Sequence, residues 1–460
     1  MTGIPDSNLG SPMSRVELRA AFSLSGVYAL RMLGLFMILP VFSLYAGDLS
    51  GVTPALTGLA IGAYGITQAL LQIPAGLLSD RIGRKPVIIG GLLVFALGSV
   101  VAAQADSIYI VILGRALQGA GAIAAAIMAL VADLTREEHR IKAMALIGMS
   151  IGLSFALALI LGPLFNQWIG VPGIFWSTAV LALAGIMVVA FVVPRPGRAR
   201  MHREAEAVPA QFGRVLGNAE LLRLDFGILV LHMVLTASFV VLPLLLRDTV
   251  QLAADQHWKV YLPVLVCSVL IMIPFMLQAE RRGRVKQIFT GAILVLAVAE
   301  TGLFLLSPTL THVVILLIIF FAAFNLLEAM LPSLISRVAP VDCRGTAMGV
   351  YSSSQFMGAF LGGALGGLVQ GRFGIPAVFL ATALLLLIWL LTAIPMRPAR
   401  KLTSYIHRVD VEDQAAADRL AREMAGLTGV AEAVVVPEEG VAYLKVDQQV
   451  FDAATLPGSG

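Results

Sequence analysis

Charge is what this chain lacks most. Asp, Glu, Lys and Arg make up 13% of its 460 residues, against 58% hydrophobic residues. A soluble domain needs far more charge to cover its surface, so the composition excludes water as the main solvent and implies lipid. Cysteine is also scarce. Cys267 lies in an apolar run and Cys343 in a connection, which excludes a disulfide framework or a thiolate metal site. No Gly-x-x-x-x-Gly-Lys-[Ser/Thr] loop occurs, so nothing points to ATP as the energy source. A nucleophile elbow and zinc-ligand spacing are missing too, so no enzyme or cofactor is expected. The net charge of +4 is no nucleic-acid signal, because the basic residues fall in connections between apolar runs.

What is present is a series of twelve apolar runs. They begin near Ala20, Pro54, Pro86, Ile108, Ile141, Pro172, Leu221, Trp258, Val285, Thr311, Gly345 and Ile375. A bilayer span takes about 20 residues, and 460 residues hold about a dozen. Backbone groups in lipid must pair within the segment, so the runs are expected to be helices. Met1 to Ser14 is polar, and the run after Ala20 is too long for a cleaved leader, so it reads as a retained first span. Lys and Arg cluster in alternate connections, at Arg81, Arg84, Lys85, Arg136, Arg140, Lys142, Arg281, Arg282, Arg284 and Lys286 among others. That asymmetry predicts both termini on the cytoplasmic side.

Four units are expected. Residues 1–193 form one six-helix bundle and residues 194–220, carrying Pro194, Pro196 and several charges, a cytoplasmic linker. Residues 221–396 form a second six-helix bundle. Residues 403–450 form a small cytoplasmic domain with the order strand, helix, strand, strand: Ile406 to Val411, Glu412 to Leu427, Val430 to Val436 and Val441 to Val446. A second helix after these is weakly supported, because Phe451 to Leu456 is short.

One charged connection recurs. Asp80, Arg81, Gly83 and Arg84 align with Glu280, Arg281, Gly283 and Arg284, two hundred positions later. A hinge repeated in each half of an apolar chain points to a duplicated transporter with its path between the halves.

Gly76, Asp80, Arg81, Gly83, Arg84 and Lys85 satisfy the pattern G-x-x-x-D-R-x-G-R-[RK]. That pattern resembles the loop 2–3 signature of the major facilitator superfamily. Arg115 with Gly119 and Gly121 resembles its fourth-helix signature. Gly162-Pro163 resembles part of its fifth-helix antiporter signature, although Phe165 and Asn166 stand where the family often has Gly-Gly. The soluble-looking tail resembles the ferredoxin-like domain of the YajR-like group. The resemblance implies an all-α membrane protein of twelve helices in two halves, plus a small α+β tail. It implies a bacterial inner-membrane secondary transporter driven by a proton gradient. Export of a small organic compound in exchange for protons is the expected activity. The alternatives are proton-coupled import and a sensor whose tail binds a cytoplasmic ligand or partner. The resemblance further implies that Asp80 accepts from the start of the eleventh helix near Gly345. Arg84 would then pair with Asp133 to gate one side.

The remaining candidates follow from ionisable and polar residues within apolar runs, which are costly unless they face the bundle interior. Arg31 and Arg115 are the buried cations. Glu328, Glu300 and His232 are candidate proton carriers, since a buried acid given alternating access to water can load and release a proton. Glu328 is preferred because Asn325 lies one turn away. Gln68, Gln72, Gln118, Asn325 and Gln355 are expected to line the path, with Phe36 and Tyr64 as apolar walls.

Overall fold

The computed structural model describes residues 12–194, 211–340, 343–396, 403–409, 411, 413–437, 440–447 and 450–457. Most of the expected linker, residues 195–210, lies outside the described residues. Long helices dominate the rest. The first four are α1 (Arg15–Phe36), α2 (Pro54–Ile82), α3 (Arg84–Ala103) and α4 (Ile108–Leu134), the last interrupted after Ala120. A continuous helical stretch, Glu137–Met187, bends at Gly170, where φ is 66°. It supplies α5 (137–169) and α6 (171–187). The second half holds α7 (Ala219–Leu244), α8 (Trp258–Arg281), α9 (Val285–Leu305), α10 (Leu310–Val338), α11 (Arg344–Phe373) and α12 (Ile375–Ala393).

Local chemistry sets several of these limits. Ser14 and Glu17 form a reciprocal capping box at the start of α1. Thr53 caps α2 just before Pro54, which suits the first helical turn. Asn218 and Thr309 cap α7 and α10 through their side chains. Gly83 and Gly283, the two glycines of the repeated hinge, both adopt positive φ, 99° and 64°. An L side chain is strained there, so each tight reversal requires glycine.

Among the described residues, nine helices are long and apolar enough to cross a membrane. One of them, Lys142–Val192, contains both α5 and α6, which makes ten spans. Helices α1 and α11 fall outside that set by composition and bring the number to twelve. Their polarity has a structural reason. Helix α1 carries buried Arg31, and α11 carries Ser352, Ser353, Ser354 and Gln355 among its glycines.

The two halves meet most closely along α2 and α11. A Cβ added at Gly62 would lie 2.7 Å from the Phe360 carbonyl oxygen, and one at Gly65 2.5 Å from that of Phe356. Gly58 faces Gly363 and Gly367 in the same way. Small residues let the two backbones touch. On its other side α11 brings Gly358 and Gly362 against Leu229 and Met233 of α7. The close crossing lies towards the first residues of α2 and the last of α11, so that end of the molecule is shut.

The tail is β1 (Thr403–Arg408), α13 (Gln414–Ala425), β2 (Val430–Val436) and β3 (Val441–Val446), in sheet order β1-β3-β2. Strand β3 runs antiparallel to both neighbours, pairing Val446 with Thr403 and Val441 with Val436. Strands β1 and β2 are therefore parallel with β3 between them, a split β-α-β unit. Ala417, Met424, Val435, Ala442 and Leu444 fill the space between helix and sheet. Among the described residues only a short turn, Ala453–Thr455, follows β3. The second helix of a ferredoxin-like domain is not formed there. Leu456, 3% exposed, covers the core instead.

Candidate transport site

The hinge motif sits at the opposite end of α2 from the close crossing. Arg84 begins α3 and reaches back to the Asp80 carboxylate, and its Nε lies 3.3 Å from Asp133 Oδ2 at the end of α4. Ser79 Oγ accepts a third bond from Arg84 at 2.8 Å. Lys85 donates to the Val193 carbonyl at 2.6 Å, and Arg81 is exposed. The expected bond between Asp80 and the start of α11 at Gly345 is not formed. Asp80 is engaged by Arg84 within its own half, and Thr346 of α11 donates to Gln211 instead. Gly76 packs near Ala125 of α4.

The first half has a polar core of two guanidinium groups. Arg31 donates to Gln68 Oε1 at 2.6 Å and to the Gly121 carbonyl at 3.2 Å, and Gln68 donates on to Gln72. Its guanidinium also lies over the Phe95 ring. Arg115 donates to Gln118 Oε1 at 2.7 Å and to the Ala60 and Ile61 carbonyls, and lies 4.6 Å from the Tyr64 ring centroid. Gln118 in turn donates to Ser99. Gln68, Gln72 and Gln118 are all buried. Gln68 and Gln118 solvate the arginines directly, and Gln72 accepts from Gln68 behind them. The glycines explain how the helices come so near: Gly119 meets the Tyr64 carbonyl, Gly121 the Gly91 carbonyl, and Gly162, before Pro163, the Met37 carbonyl.

The second half carries acids. Glu300 is fully buried and accepts from Ser238 Oγ at 2.9 Å and Thr382 Oγ1 at 2.7 Å. It is tied between α7, α9 and α12. Glu328 differs, because its side chain is 36% exposed. Its Oε2 lies 3.9 Å from His232 Nδ1 of α7, and its Oε1 accepts from Gln355 of α11 at 3.2 Å. Gln355 also contacts His232 Nε2 at 2.9 Å. Three helices thus bring an acid, an imidazole and an amide to one place. Asn325 is not part of it, since its amide turns to Ser268 of α8.

Aromatic rings join the halves beside this group. Phe36 of α1 packs edge-on against Phe155 of α5 at 5.3 Å, and Phe155 meets Phe239 of α7 and Phe321 of α10. Tyr64 meets Phe356 across α2 and α11, and Phe324 lies 6.0 Å from the His232 ring.

Three participants were not singled out from sequence. Asp225 lies two turns before His232 on α7; it is buried, and among the described residues neither carboxylate oxygen has a hydrogen bond. Tyr351 lies one turn before Gln355, with its hydroxyl likewise unbonded. The i, i+7 and i, i+4 spacings are the signal that places them on the faces bearing His232 and Gln355. Glu17 is the third. Its two oxygens take the backbone N–H, Nε and Nη2 of Arg136, binding α1 to the α4–α5 connection. Bonding to Arg136 holds this carboxyl at about 2, well below its ordinary range.

The profile described as Major Facilitator Superfamily matches residues 24–279 and 224–409. "Inner membrane transport protein YajR" of Escherichia coli (strain K12) is 47% identical over 439 residues, covering 95% of this chain and 96% of the relative. "Multidrug resistance protein MdtH" of Aeromonas salmonicida is 26% identical over 363 residues, 76% of this chain and 89% of that protein. Among solved structures, the bacterial homolog of the human lysosomal transporter Spinster, in an inward-facing and occupied conformation, superposes with TM-score 0.69 at 15% identity. It covers 85% of this chain and 98% of that one. Matched along nearly its whole apolar length and built as two helical halves around buried polar groups, the chain belongs to the major facilitator superfamily of secondary transporters.

Proposed function

We propose that this protein exports a small organic, drug-like compound across the bacterial inner membrane in exchange for protons. The observation that carries the reading is the meeting of Glu328, His232 and Gln355, partly open to solvent, beside aromatic walls. Glu328 takes up the proton, with His232 as its partner and Asp225 along the same helix as a further stop. Glu300 is held by two hydroxyl donors and supports the same half. Arg31 and Arg115 set a positive field in the facing half. Phe36, Tyr64 and Gln355 border the path.

Residues 1–193 and 221–396 rock as two bundles joined by 194–220, with both termini in the cytoplasm as the Lys and Arg distribution favours. Asp80, Arg84 and Asp133 then form the cytoplasmic gate, with Gly345 as the facing element once that side closes. The name of the MdtH relatives supports an export direction. A second reading, control through the tail, is favoured by one contact: Lys445 of β3 donates to the Arg337 and Ala339 carbonyls at the end of α10.

The test is reconstitution in proteoliposomes, with compounds first chosen by thermal shift. An imposed pH gradient is expected to drive counterflow of a bound compound. Glu328→Gln is expected to abolish that drive while binding persists. Gradient-driven flux that is complete in the variant removes the role of Glu328. Flux indifferent to the gradient in the wild type removes proton exchange altogether.

A further inference from the structure

An open groove runs between α1 and α6 on the outside of the first half. Phe22, Ser23, Gly26 and Ala29 form one wall, and Val188 and Val192 the other. On α1 these residues are three or four apart, so they occupy a single helix face. The opposite wall belongs to the widened turn Val188–Val192 that ends α6. A Cβ built on Gly26 would meet nothing within 4 Å, so the glycine leaves a trough. Phe22 in the wall and Phe191 in the widened turn are 62% and 72% exposed.

Arg19 sits at the mouth, one turn before Phe22. Its guanidinium makes a single 3.4 Å bond to the Phe191 carbonyl. Arg15, a further turn out, is exposed as well. Neither is paired with a carboxylate among the described residues. An apolar trough with one guanidinium group at its mouth and a second a turn beyond matches a lipid in both of its parts. The trough takes an acyl chain, and a guanidinium fork takes phosphate oxygens. Basic positions between spans favour headgroups of net negative charge.

We propose that the α1–α6 groove binds one anionic phospholipid, with an acyl chain along Gly26 and its phosphate on Arg19 and Arg15. The site is separate from the transport path, and the proposal stands whatever the direction of transport.

The test uses the full-length protein in detergent, titrated with phosphatidylglycerol or with phosphatidylcholine of the same chains, with thermal stability as the readout. Phosphatidylglycerol is expected to saturate at about tenfold lower concentration, about 1.4 kcal/mol of preference. Arg19→Gln is expected to erase that preference. Gly26→Leu, which fills the trough at an exposed position, is expected to weaken both lipids. Equal saturation by the two lipids in the wild type overturns the proposal. So does a preference that survives Arg19→Gln, or the same stabilisation from glycerol phosphate without acyl chains.

Discussion

His232 and Glu328 face each other from α7 and α10, with Nδ1 3.9 Å from Oε2, and Gln355 touches both from α11. Three helices thus share one polar contact. Under the proton exchange proposed above, this contact would be the one through which a proton biases the bundle, since only a differential interaction shifts such an equilibrium.

His232→Asn keeps a polar side chain but removes the titrating ring. Initial exchange rates measured across pH are expected to fall by about tenfold at the wild-type optimum, about 1.4 kcal/mol. The shape of the pH profile is also expected to change. An unaltered profile would show that the imidazole is only packing.

Gly363 of α11 lies against the carbonyl of Gly58 in α2. A valine there has no room unless the two helices separate. Interaxial distance follows the side chains at the contact, so Gly363→Val is expected to widen the crossing by about 2 Å or more. Spin labels at positions 53 and 372 report the distance, and transport should fall with it. Unchanged label distances with full flux would mean that this end need not close tightly.

Glu17 offers a pH-dependent test outside the apolar run. Its carboxyl is held at about 2, below the ordinary 4.5, chiefly by Arg136. A depressed folded-state value stabilises above the ordinary value, and the contribution disappears as pH falls from 4.5 towards 2. Glu17→Gln is therefore expected to cost about 2 kcal/mol at pH 7, the scale of bonds to a charged group. The gap in melting temperature between variant and wild type should close in acid. A gap that stays constant down to pH 2 would assign the loss to packing.

Much of the architecture was legible because lipid imposes simple rules. Apolar runs beginning at Pro54, Ile108, Trp258, Val285 and Ile375 became helices beginning at those residues. The Arg84–Asp133 pair was within reach of the motif, and polarity picked out Glu328, His232 and Gln355 one by one, but their meeting was not foreseen. Orientation about each helix axis was not. A helix that is apolar all round does not reveal which face looks inward. Asp225, near the start of α7, therefore went unnoticed, and Asn325 was placed beside Glu328 although it turns to Ser268. Gln118 was expected on the path because amides suit ligands, yet the nearby Arg115 has the stronger claim on it. In the tail, β2 and β3 followed from their runs of β-branched residues, while the element after β3 was too short for any pattern to define.

Lys445 is clasped by the final carbonyls of α10, the helix that bears Glu328. Should α10 tilt during the cycle, those oxygens move with it. The sheet must then swing along as a pointer or release its grip, at a cost on the order of 1–3 kcal/mol. Either way, the small sheet and α10 are mechanically joined at this one side chain, so a movement of one is felt by the other.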